Sequence, residues 1–321
     1  MDTLKIGVMG CANIAYRSMI PAILSIPQWE LVAVASRSIT KAVKFADIFS
    51  CQAVEGYKNL LAQDDIDAIY MPLPTGLHGE WIPKCLDAGK HVFAEKSLAR
   101  NFAEAKSMVK QAEASDLLIM ENYMFQHHSQ HRFVKDMLDN GEIGDIRLFR
   151  SCFGFPPLPE NNFRYNKDLG GGALLDAGGY PVKAAQLFLG NNLKVKAADL
   201  WFCEDRGIDI HGSAYLSSQE GSVAEIAFGF DNYYQCNYEF WGSKGKIVAE
   251  RAFTPSSSFR PTIILEKQNI VTRFQVEPDN HFINILKEFY RAILENRHEK
   301  HHQEVLNQAR LLEAIHVNST Q

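Results

Sequence analysis

The chain has 321 residues, a formal net charge of −5 and six cysteines, enough length for two domains with substantial cores. Its basic residues are scattered and form no patch interleaved with aromatics, which argues against nucleic acid as a partner. The cysteines (11, 51, 85, 152, 203, 236) lie far apart without a C-x-x-C pair, no apolar run reaches membrane-span length, and the first strand starts within a few residues; the expectation is a soluble cytoplasmic protein with reduced thiols and no leader.

The first element is the most informative. Ile6-Gly7-Val8-Met9-Gly10-Cys11-Ala12-Asn13-Ile14-Ala15 reads as a strand, a glycine turn and a helix start. Small residues there let backbone N–H groups approach a pyrophosphate, which the positive end of the helix favours. The pattern Gly7-x-x-Gly10-x-Ala12 is a degenerate form of the dinucleotide fingerprint, so an ordinary strand-turn-helix is the competing reading. A helix follows from Ile14 to Ile26, stopped by Pro27, and Leu31 to Ala35 reads as a buried parallel strand.

That strand runs into Ser36-Arg37-Ser38, with Lys41 one turn on. An NAD site usually carries Asp or Glu here, for the ribose 2′-hydroxyl, and such a carboxylate would repel a 2′-phosphate. Ser36 is neutral, and Arg37 can pair with the phosphate while stacking on adenine. The expectation is NADP(H), with NAD(H) as the alternative and a solvated Arg37 as the bland reading.

Strands at Ile66–Met71, His91–Glu95 and Leu117–Met120 alternate with helices at Glu80–Ala88, closed by Gly89, and at Asn101–Ala114. This alternation predicts a doubly wound parallel sheet, with a ligand cleft at the carboxyl ends of its strands. From about Asp145 the patterning changes to period two, in Lys194–Phe202, Ile208–Leu216, Ser222–Phe230, Tyr234–Trp241 and Thr262–Lys267. A helix at Leu174–Leu189 interrupts these segments, and two more (Asn280–Glu295, His302–Ala314) end the chain. The expected fold is α/β: an N-terminal Rossmann domain over residues 1–121 and a C-terminal α/β domain over 122–321. The second domain carries a large, mostly antiparallel open sheet, and its last helix is free to pack back on the first.

Two segments carry chemistry. Lys96, in Ala94-Glu95-Lys96-Ser97, stands at the carboxyl end of a buried strand, where an ammonium without a partner is costly; snorkelling to solvent, or pairing with Glu95, is the alternative. In Gly170-Gly171-Gly172-Ala173-Leu174-Leu175-Asp176-Ala177-Gly178-Gly179-Tyr180-Pro181, Asp176 and Tyr180 are four apart on one helix face. The phenol can supply a proton and the carboxylate can hold a substrate hydroxyl. The glycines suggest that something comes close to this helix; otherwise Tyr180 is a core aromatic and Asp176 a solvated helix residue. Phe163, Arg164 and Tyr165 form a loop able to reach a sugar or phosphate, or an ordinary ordered loop. His127 and His131 have the i, i+4 spacing of two ligands on a helix, yet no third ligand matches, so no metal is expected. His298, His301 and His302 sit among charged residues and read as solvated surface.

The early glycine pattern, Pro74-Thr75-Gly76-Leu77-His78, Glu95-Lys96 and Asp176-x-x-x-Tyr180 occur in the order seen in the glucose–fructose oxidoreductase / inositol dehydrogenase / rhizopine catabolism (Gfo/Idh/MocA) family, which the whole chain resembles. Gly10 to Ala15, Met124 to His131 and the glycine-rich run into Tyr180-Pro181-Val182 resemble its NDP-hexose 3-ketoreductases in particular. The resemblance implies a Rossmann domain followed by an open-sheet α/β domain, one sheet face lining the active site and the other forming a homodimer or homotetramer. Lys96 and Tyr180 would lie beside the nicotinamide and the reacting carbon.

By the same resemblance the cofactor would touch Gly7, Gly10, Ala12, Asn13 and Ile14, then Ser36, Arg37, Ser38 and Lys41. Pro72, Leu73, Thr75, His78, Glu95 and Lys96 would complete its site. Tyr16, Asn122, Met124, Phe163 and Arg164 would join Asp176 and Tyr180 around the substrate. Two departures stand out. Tyr180 occupies the place of the histidine in Asp-x-x-x-His of polyol-oxidising members. Ser97 replaces the proline of Glu-Lys-Pro, and a trans Lys96–Ser97 bond is expected, since a non-proline cis bond costs about 3 kcal/mol.

The activity implied is NADPH-dependent reduction of a keto-sugar, most simply a nucleotide-linked 3-keto-deoxyhexose. Tyr180 would be the proton donor, Lys96 would stabilise the alkoxide, and Asp176 would assist. A dehydrogenase of a free aldose or dihydrodiol, and a non-catalytic dinucleotide-sensing regulator, are the alternatives.

Overall fold

The computed structural model describes residues 3–319. They form two compact units, one of the residues through Asn122 with Phe282–Leu306, the other of Tyr123–His281 with those from Asn307 onward.

The first unit holds a six-stranded parallel sheet of β1 (Leu4–Met9), β2 (Trp29–Ser36), β3 (Gln52–Glu55), β4 (Ala68–Met71), β5 (His91–Ala94) and β6 (Ile119–Glu121), in the order β3-β2-β1-β4-β5-β6. This is the Rossmann order, and its direction reverses between β1 and β4. β1, β2, β4 and β5 are apolar because both of their faces are covered. β3, a four-residue edge strand with one buried side chain, Val54, has no counterpart among the expected strands. The helix expected over 14–26 is a π-turn at Ala15–Met19 that continues as an α-turn at Ile20–Leu24. Asn101 caps the helix Phe102–Ala114 by accepting the Glu104 N–H at 2.8 Å.

The helix His281–Leu294 covers this sheet through Phe289, stacked on Trp29 (centroids 5.5 Å apart) and on Phe93 (5.2 Å); Trp29 Nε1 donates to the Leu286 carbonyl. The next helix, His298–Ser319, opens with histidines read above as solvated, and here the expectation fails: His298, His301 and His302 are 9 %, 2 % and 1 % exposed. Spaced i, i+3, i+4, they share one inward face. His302 Nε2 accepts the Ile119 N–H at 3.3 Å, and His301 lies between the carboxylates of Glu288 and Glu304.

The second unit holds eight strands: β7 (Ile146–Gly154), β8 (Lys194–Cys203), β9 (Ile208–Ser217), β10 (Val223–Gly229), β11 (Gln235–Gly242), β12 (Lys246–Ala249), β13 (Thr262–Lys267) and β14 (Ile270–Gln275). Their order is β14-β13-β12-β11-β7-β10-β9-β8, antiparallel except for the central β7–β10 pair. Phe149, Tyr238 and Phe240 pack with Phe188, of the helix Gly179–Leu189, on one face. On the other, Arg150 bridges Glu225 of β10 and Glu239 of β11, both in register with it, at 2.8 Å each.

The glycine run before Tyr180 serves this packing. A Cβ on Gly178 would stand 3.0 Å from the Phe228 ring, and one on Gly179 would collide with the Tyr123 hydroxyl. Gly172, at φ +119°, faces the Asp209 carboxylate, and Gly171 faces the carbonyls of Arg164 and Asn166. What comes close to these glycines is the protein's own sheet and loop.

Candidate active site

At the carboxyl ends of β1, β2 and β4 lies a cleft of about 500 Å³ lined by Gly10, Cys11, Ala12, Ser36, Arg37, Ser38, Lys41, Tyr57, Pro72 and Leu73. It sits at the switch point of the sheet, where open α/β folds bind ligands. Gly10 turns the chain at φ +130°, and a Cβ there would lie 3.0 Å from Leu73 Cδ2, so only glycine lets the loop pass under the cleft. Gly7 does other work: it is buried within β1, where a Cβ would press on Ile66, Leu60 and Ile69. Asn13 is exposed and Ile14 half-buried at the helix start. Ser36 Oγ accepts the Ser38 N–H at 3.2 Å, while Arg37 and Lys41 are exposed at the rim. No carboxylate lines the cleft among the described residues.

Tyr57 was missed in the sequence. It is 8 % exposed and wedged edge-on against Trp81; burial pushes its phenol up, opposed by the Arg37 charge. No local pattern carries it into the cleft; the tertiary fold does. Tyr16, by contrast, is 41 % exposed, packs edge-on against Phe45 and Phe49, and stays outside the cleft.

The segment after β5 is fixed by buried polar groups. Glu95 Oε1 accepts from the Tyr70 phenol and from Asn122 Nδ2, each at 2.7 Å. Burial pushes the Glu95 carboxyl above the usual range, opposed by these bonds and by the Lys96 charge. Lys96–Ser97 is cis, a correction to the trans expectation. The peptide that follows it is held at both of its polar groups: Thr75 Oγ1 donates to the Ser97 carbonyl at 2.8 Å, and the Leu98 N–H donates to Glu121 at 2.7 Å.

His78 is wholly buried between the carbonyls of Leu98 and Leu73, both at 3.0 Å, and burial lowers its pKa. Asn122 is likewise without exposed surface. Within the unit these two position the Glu95-Lys96-Ser97 segment and offer a ligand no exposed surface.

In the second unit Tyr180, 6 % exposed, stands among the rings of Phe153 (4.8 Å), Tyr123 (5.4 Å), Phe253 (5.7 Å) and Phe125 (5.8 Å). Asp176 belongs to the π-turn Leu174–Gly178 and Tyr180 to the α-helix that continues it. Asp176 is no solvated helix residue: its carboxylate takes Arg164 Nε at 2.7 Å, with the two side chains 13 % and 29 % exposed. Arg164, expected to reach substrate, is thus neutralised. Phe163 is 40 % exposed beneath its guanidinium, and Met124 is buried.

The expected His127–His131 helix pair is divided, because His127 ends a 3-10 turn and His131 belongs to the helix Ser129–Asp139. His131 is spent on the Tyr238 hydroxyl (3.0 Å) and the Ala252 carbonyl (3.1 Å). Among the described residues no group of three or more His, Cys, Asp or Glu is placed to hold a metal ion.

A Rossmann-ordered sheet with a cleft at its switch point, joined in one chain to a wide open sheet, defines a nucleotide-dependent oxidoreductase architecture. Residues 4–123 match the oxidoreductase family with NAD-binding Rossmann fold, and residues 131–248 match the GFO/IDH/MocA C-terminal domain. The chain belongs to the Gfo/Idh/MocA oxidoreductase family.

Among its relatives, the dTDP-3,4-didehydro-2,6-dideoxy-alpha-D-glucose 3-reductase of Saccharopolyspora spinosa is 45 % identical over 90 % of this chain and 87 % of that protein. The enzyme of the same description from Actinomadura kijaniata is 43 % identical over 98 % and 95 %. The crystal structure of an A. kijaniata 3-ketoreductase in complex with NADP and TDP-benzene superposes with a TM-score of 0.96 at 42 % identity, covering 99 % of this chain and 98 % of that one.

Proposed function

We propose that this chain is an NADPH-dependent reductase of a nucleotide-linked 3-keto-deoxyhexose. The observation that carries the reading is the likeness, over nearly its whole length, to 3-reductases acting on a dTDP-linked keto-sugar. The cleft supports the choice of cofactor. Ser36, Arg37, Ser38 and Lys41 give a 2′-phosphate hydroxyls and positive charge. The loop from Gly10 to Ile14, with Pro72 and Leu73 opposite, suits a pyrophosphate.

Bound NADPH supplies the hydride that adds to the ketone carbon. As that bond forms, the carbonyl π-electrons move onto oxygen, and Tyr180 delivers the phenolic proton to it; solvent then restores the phenol. The Lys96 ammonium meets the negative charge developing on the same oxygen. Asp176, held by Arg164, accepts from a sugar hydroxyl. Glu95, next to Lys96 in the chain, is fixed by Tyr70 and Asn122.

We also infer a homodimer or homotetramer formed through the outer face of the eight-stranded sheet. Trp201, Tyr215 and Trp241 there are 59 %, 40 % and 61 % exposed. No helix among the described residues is long and apolar enough to cross a membrane, and the six cysteines, all thiols, suit a reducing cytoplasm.

The test is NADPH oxidation on a panel of free and nucleotide-linked keto-sugars. Turnover confined to nucleotide-linked 3-keto substrates supports the reading. Equal turnover of free aldoses or dihydrodiols contradicts it, and so does cofactor binding without hydride transfer to any ketone.

A further inference from the structure

We infer that Arg251 is the residue of this chain that binds the diphosphate of a nucleotide-linked substrate. The inference rests on the nucleotide-linked reading above and names the group that would recognise the nucleotide.

Arg251 follows β12 in a loop whose Phe253 lies against the Tyr180 ring. Its guanidinium carbon stands 5.0 Å from the ring centre of Tyr234 and 5.6 Å from that of Phe259. One nitrogen donates to the Tyr234 phenol at 3.0 Å, and that phenol meets Thr254 Oγ1 at 2.9 Å. Stacking and a single hydrogen bond leave the remaining N–H donors in the guanidinium plane for an acceptor.

No ion pair with a carboxylate involves Arg251 among the described residues, whereas Arg150, Arg164, Arg260 and Arg297 each have at least one. The side chain is half-buried, on a chain of net charge −5. A planar cation beside two aromatic rings, two residues before the Phe253 that contacts Tyr180, suits bidentate capture of a phosphate.

The loop is also built to hold still. Gln130 Nε2 donates to the carbonyls of Arg251 (3.2 Å) and Ala252 (3.3 Å), and His131 Nε2 meets the Ala252 carbonyl. Ala252 N–H donates to the Cys236 carbonyl at 2.7 Å, and Phe253 N–H to the Cys236 thiol. Gln130 and His131 are 0 % and 3 % exposed; this buried polar pair is spent on the loop that presents Arg251 and Phe253, an arrangement that preorganises an anion site.

The experiment is titration calorimetry of thymidine diphosphate and of thymidine into the NADP-saturated full chain, wild type against Arg251→Gln and Arg251→Lys. The assignment predicts that Arg251→Gln weakens the diphosphate tenfold or more, that Arg251→Lys weakens it less, and that thymidine and NADP affinities stay within about twofold. KM for a nucleotide-linked substrate should rise in parallel, with kcat changed less than about threefold. Diphosphate binding by the wild type that survives both substitutions overturns the assignment alone. Equal losses for thymidine and diphosphate overturn it too, since they point to a structural role. A wild type that does not bind the diphosphate overturns the nucleotide-linked reading and the assignment together.

Discussion

The phenol of Tyr70 and the amide of Asn122 both donate to one oxygen of Glu95, each at 2.7 Å. Tyr70 and Asn122 have no exposed surface, so three adjacent parallel strands spend their ends on a single carboxylate beside Lys96. A buried hydrogen bond to a charged group contributes about 1.5–3 kcal/mol. Tyr70→Phe should therefore lower unfolding free energy by about that amount in urea titration and push the Glu95 carboxyl further up. A midpoint unchanged from wild type would show that the phenol carries no such role.

Arg37 tests the cofactor assignment. Losing one charge-assisted contact to a 2′-phosphate costs about 1.5–3 kcal/mol, which is roughly ten- to hundredfold in affinity. Arg37→Gln should raise the Kd for NADPH by that factor and leave NADH, which lacks the phosphate, within about twofold. Equal effects on both cofactors would remove Arg37 from the phosphate site.

Gly10 lies at φ +130° with Leu73 Cδ2 in the space a Cβ would take. Gly10→Ala should cost about 1–3 kcal/mol of backbone strain and weaken cofactor binding further by displacing Leu73 at the cleft wall. Fluorescence titration with NADPH checks this; wild-type affinity would mean that the loop adapts.

These residues also mark what can be read from sequence. β1, β2, β4 and β5 were legible because a strand covered on both faces must be a continuous apolar run. β3, β7, β12 and β14 were not; β3 and β14 are short edge strands with largely polar or exposed side chains, whereas β7 is central. Ser36 and Arg37 announced themselves by spacing from Gly10, whereas Tyr57 reaches the cleft only through tertiary packing. Glycine signals close approach without naming what approaches: around Gly7, Gly178 and Gly179 it is the protein's own core. His298, His301 and His302 were hidden by charged neighbours, although their helical spacing already put them on one face.

The buried histidines predict acid sensitivity. Burial lowers His131 and His281 to about 3 and His91 and His302 to about 4, against about 6.5 when unfolded. Between those limits the unfolded chain binds more protons, so stability is full above about pH 6.5 and is lost as pH falls, by up to about 1.4 kcal/mol per pH unit and group. Glu288, held well below the carboxylate range by its bond to His301, adds to the loss at lower pH.

His301 acts oppositely. Burial alone would lower its pKa, but Glu288 and Glu304 raise it, so its contribution fades as pH rises through the folded value. Urea midpoints should fall from about pH 7 to about pH 5, the four neutral histidines outweighing one. A midpoint that rises on acidification contradicts this.

The most direct measurement is single-turnover NADPH oxidation with a nucleotide-linked 3-keto-deoxyhexose, comparing wild type with Tyr180→Phe and Lys96→Met. Tyr180→Phe should slow hydride transfer by roughly 100- to 10,000-fold, Lys96→Met should be at least as slow, and NADPH affinity should be preserved in both. A Tyr180→Phe enzyme that turns over at the wild-type rate would contradict this.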